Sequence, residues 1–152
     1  MMQRLLDQLR LGLSRSKTSD PAWQGNEAAI AVAALLLEVA EMDGRQDETE
    51  RARAREIIEH HFGDGEQVLQ QAQIARAEAT DLHPFTSRLC KDFSQSERHD
   101  LIRWLWDIVH ADGHADDYEL ALMRRLAGLL YVPDAASGLA RRQSRAATEP
   151  KD

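Results

Sequence analysis

Two acidic loops of the same design stand out in this chain. The first reads Asp43-Gly44-Arg45-Gln46-Asp47-Glu48-Thr49-Glu50 and the second Asp112-Gly113-His114-Ala115-Asp116-Asp117-Tyr118-Glu119. Each spells Asp-Gly-x-x-Asp-x-x-Glu. Clustered carboxylates repel one another unless a cation neutralises them, so the chemistry they suggest is ion binding. Oxygen donors suit a hard divalent ion, Ca²⁺ or Mg²⁺. His110 and His114 beside the second loop admit Zn²⁺ there as the softer alternative. The candidate ligands are Asp43, Asp47 and Glu50 in one loop and Asp112, Asp116 and Glu119 in the other. The spacing departs from an EF-hand, whose glycine stands at the sixth position and whose bidentate Glu stands at the twelfth.

Helix mechanics offers a competing account of half these acids. Gly44 and Gly113 fit the left-handed cap that ends a helix. Asp47 with Glu50, and Asp116 with Glu119, have the spacing of capping boxes that open the next helix, about 1 kcal/mol each. Asp43 and Asp112, with Glu41, fall outside that account. They sit at the negative end of the incoming helix dipole, where a carboxylate is unfavourable. Glu38 and Asp107 interrupt the same helices at equivalent positions, either on an exposed stripe or facing the loop as further ligands.

These loops must be held by helices, and the repeat extends into them. At the shift of 69 residues that superimposes Asp43 on Asp112, Leu36 falls on Leu105, Val39 on Ile108, Ile57 on Leu126 and Phe62 on Tyr131. Leu5, Leu6, Leu9 and Leu13 form an amphipathic stripe, followed by a polar linker to Pro21. A helix from about Trp23 or Asn26 to Met42 is apolar almost all round, which marks it as central and buried. Further helices are expected from Asp47 to Phe62, from a cap at Asp64, from His83-Pro84, from a capping box at Ser94 and Glu97, and from Asp116 to Leu130. A short helix near Asp134 to Arg145 precedes a disordered tail. No apolar alternation of strand type occurs. The expected fold is all-α, a single-domain bundle of about seven helices on two helix-loop-helix repeats. Its segments are an N-terminal helix and linker (1–21), the helical domain (22–132) and a C-terminal helix and tail (133–152).

Composition narrows the functions. The chain carries 19 Lys and Arg against 26 Asp and Glu, a net charge of −7. Arg141, Arg142 and Arg145 make the C-terminal segment basic, so the body before it is more acidic still. That argues against a nucleic-acid surface, which needs a basic stripe. Cys90 is the single cysteine, which excludes an intrachain disulfide and a Cys-based zinc site. No signal peptide and no apolar run of membrane-spanning length is visible. A cytoplasmic location follows as the expectation. Phosphate loops, nucleophile motifs and cofactor fingerprints are missing, so no catalytic or cofactor-binding residues are assigned. A metal-dependent hydrolase built on Asp107, His110, Asp112 and His114 is the enzymatic reading that composition leaves.

Glu38 to Gly44 with Asp47 and Glu50, and Val109 to Glu119 with Leu126-Ala127-Gly128-Leu129-Leu130, resemble the TerB-like family, named after bacterial tellurite resistance. The resemblance covers roughly Ala22 to Val132 and implies an all-α bundle with two such repeats. It implies that Asp43, Asp47, Glu50, Asp112, Asp116 and Glu119 are the suspected metal positions. It also implies a non-enzymatic role in tellurite or chemical-stress responses, with protein partners. The expected function is a stress-response module that binds a divalent cation through both loops. The alternative is a metal-free interaction scaffold whose acids are helix caps.

Overall fold

The computed structural model describes residues 26–41, 48–111 and 116–148. The stripe of leucines before residue 14 and the linker to Pro21 lie outside the described residues, as do positions 42–47 and 112–115 of the loops. Seven helices are described: α1 Glu27–Ala40, α2 Glu48–His61, α3 Gly65–Glu78, α4 His83–Asp92, α5 Gln95–Val109, α6 Asp117–Leu129 and α7 Asp134–Thr148. No strand occurs among the described residues. The all-α bundle expected from periodicity is what forms.

Helix α1 is the axis of the bundle. Asn26 caps it by accepting from the Ala29 amide at 3.4 Å. Every residue of α1 except Glu38 is buried, because α2, α3, α4, α5 and α6 all pack against it. Its many alanines let those neighbours approach closely, while Ile30, Leu35, Leu36 and Leu37 fill the space between them. The other helices are amphipathic. Helix α5, opened by the Ser94–Glu97 capping box, buries Leu101, Ile102, Leu105, Ile108 and Val109.

The duplication is larger than the loops disclose. At the same shift of 69, α1 maps on α5, α2 on α6 and α3 on α7, with α4 as the connector between two three-helix units. Leu36 and its equivalent Leu105 are both fully buried, as are Val39 and Ile108. Backbone bonds recur in register. Glu41 N donates to Leu37 O and His110 N to Trp106 O, both at 2.9 Å, and Gly63 N to Ile58 O matches Val132 N to Ala127 O. In each unit the third helix packs on the first.

Helix α7 runs to Thr148, further than the short helix the sequence suggests, and so includes residues assigned above to a disordered tail. It lies along α5. Arg141 stands 5.2 Å over the Trp106 ring, and Trp106 Nε1 donates to Ser137 Oγ at 3.3 Å. The basic segment thus folds back on the body.

The turn between α2 and α3 corrects a second expectation. Asp64 does not cap α3. It adopts a left-handed φ of 50° and its side chain makes no capping bond. Glu59 Oε2, from the last turn of α2, accepts from the Gly65 amide instead, at 2.6 Å. Gly63 turns the chain at φ 83°, a region open to glycine. A Cβ on Gly65 would come within 2.9 Å of Arg55 O, a backbone atom that cannot swing aside. Gly65→Ala is expected to cost about 1–3 kcal/mol by overpacking. Urea denaturation checks this, and a midpoint equal to wild type would show that the turn relaxes freely.

Candidate functional site

The described parts of the two acidic segments are equivalent in place and in burial. Glu50 and Glu119 stand one turn into α2 and α6, at matching positions, and are only 5% and 7% exposed. In the second segment the anticipated capping box is present. Asp116 Oδ1 accepts from Glu119 N at 2.8 Å, and Glu119 Oε1 accepts from Asp116 N at 3.4 Å. Asp116 itself is exposed. Asp43, Asp47 and Asp112, with His114, lie outside the described residues. Among the described residues no group of three or more His, Cys, Asp and Glu is arranged to hold a metal.

The acids at the unfavourable ends of α1 and α5 have other partners. Arg76, on α3, reaches both Glu38 (3.0 Å) and Glu41 (2.7 Å), and Gln73 adds a bond to Glu41. Asp107 pairs with Arg103 one turn back at 3.2 Å and with Arg53 of α2 at 3.8 Å. It also accepts from Ser144 Oγ at 2.5 Å. Ser144 lies 3.1 Å from His110 Nδ1 as well. In both units, then, the third helix grips the positions one and two turns before the loop. Glu38 and Asp107 are members of ion pairs within the fold.

Asp107, His110 and Ser144 sit together, yet no substrate reaches the serine: Ser144 is fully buried. The cluster is a crosspiece between α5 and α7. Burial holds the His110 imidazole below its ordinary 6.5, Arg141 and Arg145 add to that, and Asp107 opposes it. Cys90 is half-buried, with Sγ against Leu129 O at 3.3 Å, as a small packing residue would be.

His60 and His61 close α2. His61 stacks on half-buried Trp104, with ring centroids 4.2 Å apart, while Phe62 meets the same indole edge-on. Burial, then the neighbouring His60, pushes the His61 pKa below 6.5, and Asp100 only partly offsets this. The unfolded chain therefore binds this proton more readily than the folded one. Stability is full above about pH 6.5 and falls as pH drops through that value towards the lower folded pKa. His61→Phe, which keeps an aromatic stack, is expected to flatten the decline between pH 7.5 and 5.5 in chemical denaturation. A decline as steep as wild type would exclude His61 as its source.

Comparison with known proteins agrees with this architecture. The family model for tellurite resistance protein TerB matches residues 29–142, from the start of α1 into α7. This chain belongs to the TerB family. The match takes in both three-helix units and both acidic loops. No curated protein and no solved structure matches the chain. Among the described residues no helix is long and apolar enough to cross a membrane.

Neither the Arg76 clamp nor the Ser144 crosspiece was assigned from sequence. A signal existed: the 69-residue shift carries Arg76 onto Arg145, beside Ser144. Glu27, 1% exposed and held against Arg88, gave no such signal, since its partner lies four helices' worth of chain away with no repeat to point at it.

Proposed function

We propose that this TerB-family chain is a non-enzymatic cytoplasmic stress-response module. It binds a divalent cation through its two acidic loops and presents its helical surfaces to partner proteins. The observation that carries the reading is the recurrence of the Asp-Gly-x-x-Asp-x-x-Glu motif at the same place in both units, with Glu50 matching Glu119. Concentrated carboxylates repel one another unless a cation neutralises them. A Ca²⁺ or Mg²⁺ ion held by Asp43, Asp47 and Glu50, or by Asp112, Asp116 and Glu119, would supply that charge. Zn²⁺ at the second loop, where the histidines lie, is the less suited choice. Tellurite itself is an unsuitable ligand, because an oxyanion needs cations or free amides and these loops are acidic.

A specific observation favours a second reading, a metal-free scaffold. The Asp116–Glu119 capping box is complete without an ion, and Arg76 already answers Glu38 and Glu41. Thermal unfolding of chelator-treated protein separates the two. A rise of several degrees with Ca²⁺, Mg²⁺ or Zn²⁺, lost in Asp43→Asn/Asp112→Asn, is expected, since a ligand specific for the native state stabilises it. Identical melting with every ion would leave the acids as caps and a docking surface.

A further inference from the structure

Helix α3 presents an uncharged outer face in a chain of which 30% of residues are charged. It buries Val68, Leu69, Ala72 and Ala75 against the body. With about 3.6 residues per turn, the opposite side carries Gln67, Gln70, Gln71, Ile74 and Ala77. Ile74 stands at the middle of that side, 56% exposed. Between Glu66 and Glu78 the sequence holds a single charge, Arg76, and it turns inward to Glu38 and Glu41. The exposed faces of α2, α6 and α7 differ, since Glu56, Arg124 and Arg142 stand mid-helix on them.

Such a face selects its occupant. A charged partner finds no counter-charge on it. A second copy of this chain carries the same net charge of −7 and is repelled wherever carboxylates meet, so self-contact requires a face free of charge. A glutamine amide both donates and accepts, which makes a row of them complementary to itself. The side-chain amides of Gln67, Gln70 and Gln71 bond to no other described residue. Glu78 ends the face, exposed and in no ion pair with a described residue. Parallel packing of two copies would set one Glu78 against the other. Antiparallel packing instead sets Glu78 of each copy beside Gln67 of the other, about three turns away on the same side, where the amide donates to the carboxylate.

We propose that two copies of this chain associate through α3, antiparallel across a two-fold axis that passes between Gln71 and Ile74. A face one helix wide and about 16 Å long falls short of the roughly 1,200 Å² that a stable interface buries, so the dimer is weak. Sedimentation velocity of the full chain from about 10 µM to about 1 mM tests it, a range that reaches millimolar affinity. The mean mass is expected to rise from monomer towards dimer. Ile74→Glu sets two carboxylates near the axis and should weaken the dimer by about tenfold or more. The position is exposed, so the variant keeps its fold. Gln67→Lys reads the orientation independently. It faces Glu78 in the antiparallel dimer and should tighten it about threefold, whereas two lysines would meet in a parallel one. A chain still monomeric at about 1 mM overturns the proposal. So does a dimer that ignores Ile74→Glu or that Gln67→Lys weakens.

Discussion

Arg88→Ala is expected to melt roughly 6–12 °C below wild type, the equivalent of about 3 kcal/mol in a domain of this size. The reason is Glu27. It opens α1, where the helix dipole favours an acid, but it is 1% exposed and cannot use water to stabilise its charge. Arg88, from α4, lies against Glu27 Oε2, and its Nε also meets Asp92 at 2.8 Å. Deleting one member of a buried pair strands the other, which typically costs about 3–5 kcal/mol. Arg88 is about a fifth exposed, so water enters once it is removed and the lower end of that range applies. Replacing both partners by uncharged groups of similar shape, Glu27→Gln/Arg88→Met, should cost less than Arg88→Ala alone, because nothing charged is left behind. Differential scanning calorimetry of the three proteins decides the matter. A single variant that melts within a degree or two of wild type, or a double variant that melts lower than the single one, would show that the pair does not carry this weight.

That pair marks the boundary of what the residues themselves disclose. Periodicity identified every described helix, because a 3.6-residue apolar pattern is local and repeats several times within each helix. Capping boxes at Ser94 and Asp116 were legible for the same reason: donor and acceptor are three residues apart. The Asp64 cap fails because the turn through Gly63 puts Asp64 at a left-handed φ, unlike the extended backbone of a capping residue, while Glu59 holds the Gly65 amide from the preceding helix. The stack of His61 on Trp104 is not legible locally, since nothing near residue 61 announces that Trp104 lies against it. The packing of Arg141 to Arg145 is not legible locally, because the partners of this stretch, Trp106, Asp107 and His110, stand more than thirty residues earlier. Of the candidate ligands, Glu50 and Glu119 gained a property that no pattern encodes, burial at equivalent depth. The duplication was visible at the loops, where acids and glycine must recur. It was faint in α3 and α7, where Val68 and Leu69 of one unit face Ser137 and Gly138 of the other. Two helices can keep the same place in a fold while one packs through apolar side chains and the other through hydroxyls.

The duplicated core yields the other large effect. Leu36→Ala and Leu105→Ala are each expected to lose about 2–5 kcal/mol, the usual cost of deleting a buried leucine and leaving a cavity. The two positions are equivalent in the repeat and both fully buried, but their surroundings differ. Leu36 belongs to α1, which five helices enclose, so few neighbours can move inward to fill the gap. Leu105 belongs to α5, which packs beneath α7. The underside of α7 buries only Ala140, Ser137 and Ser144 and has more freedom to settle. The loss should therefore be larger at Leu36 than at Leu105, since cost rises with the volume of cavity that remains. Leu139→Ala, at a leucine 49% exposed, provides the control and should change stability by less than about 0.5 kcal/mol. Urea denaturation with an unchanged slope would give all three values on one scale. A Leu36 variant that loses less than the Leu105 variant would mean that α1 is not the rigid axis of the bundle. The two units would then share the core more evenly than the enclosure of α1 implies.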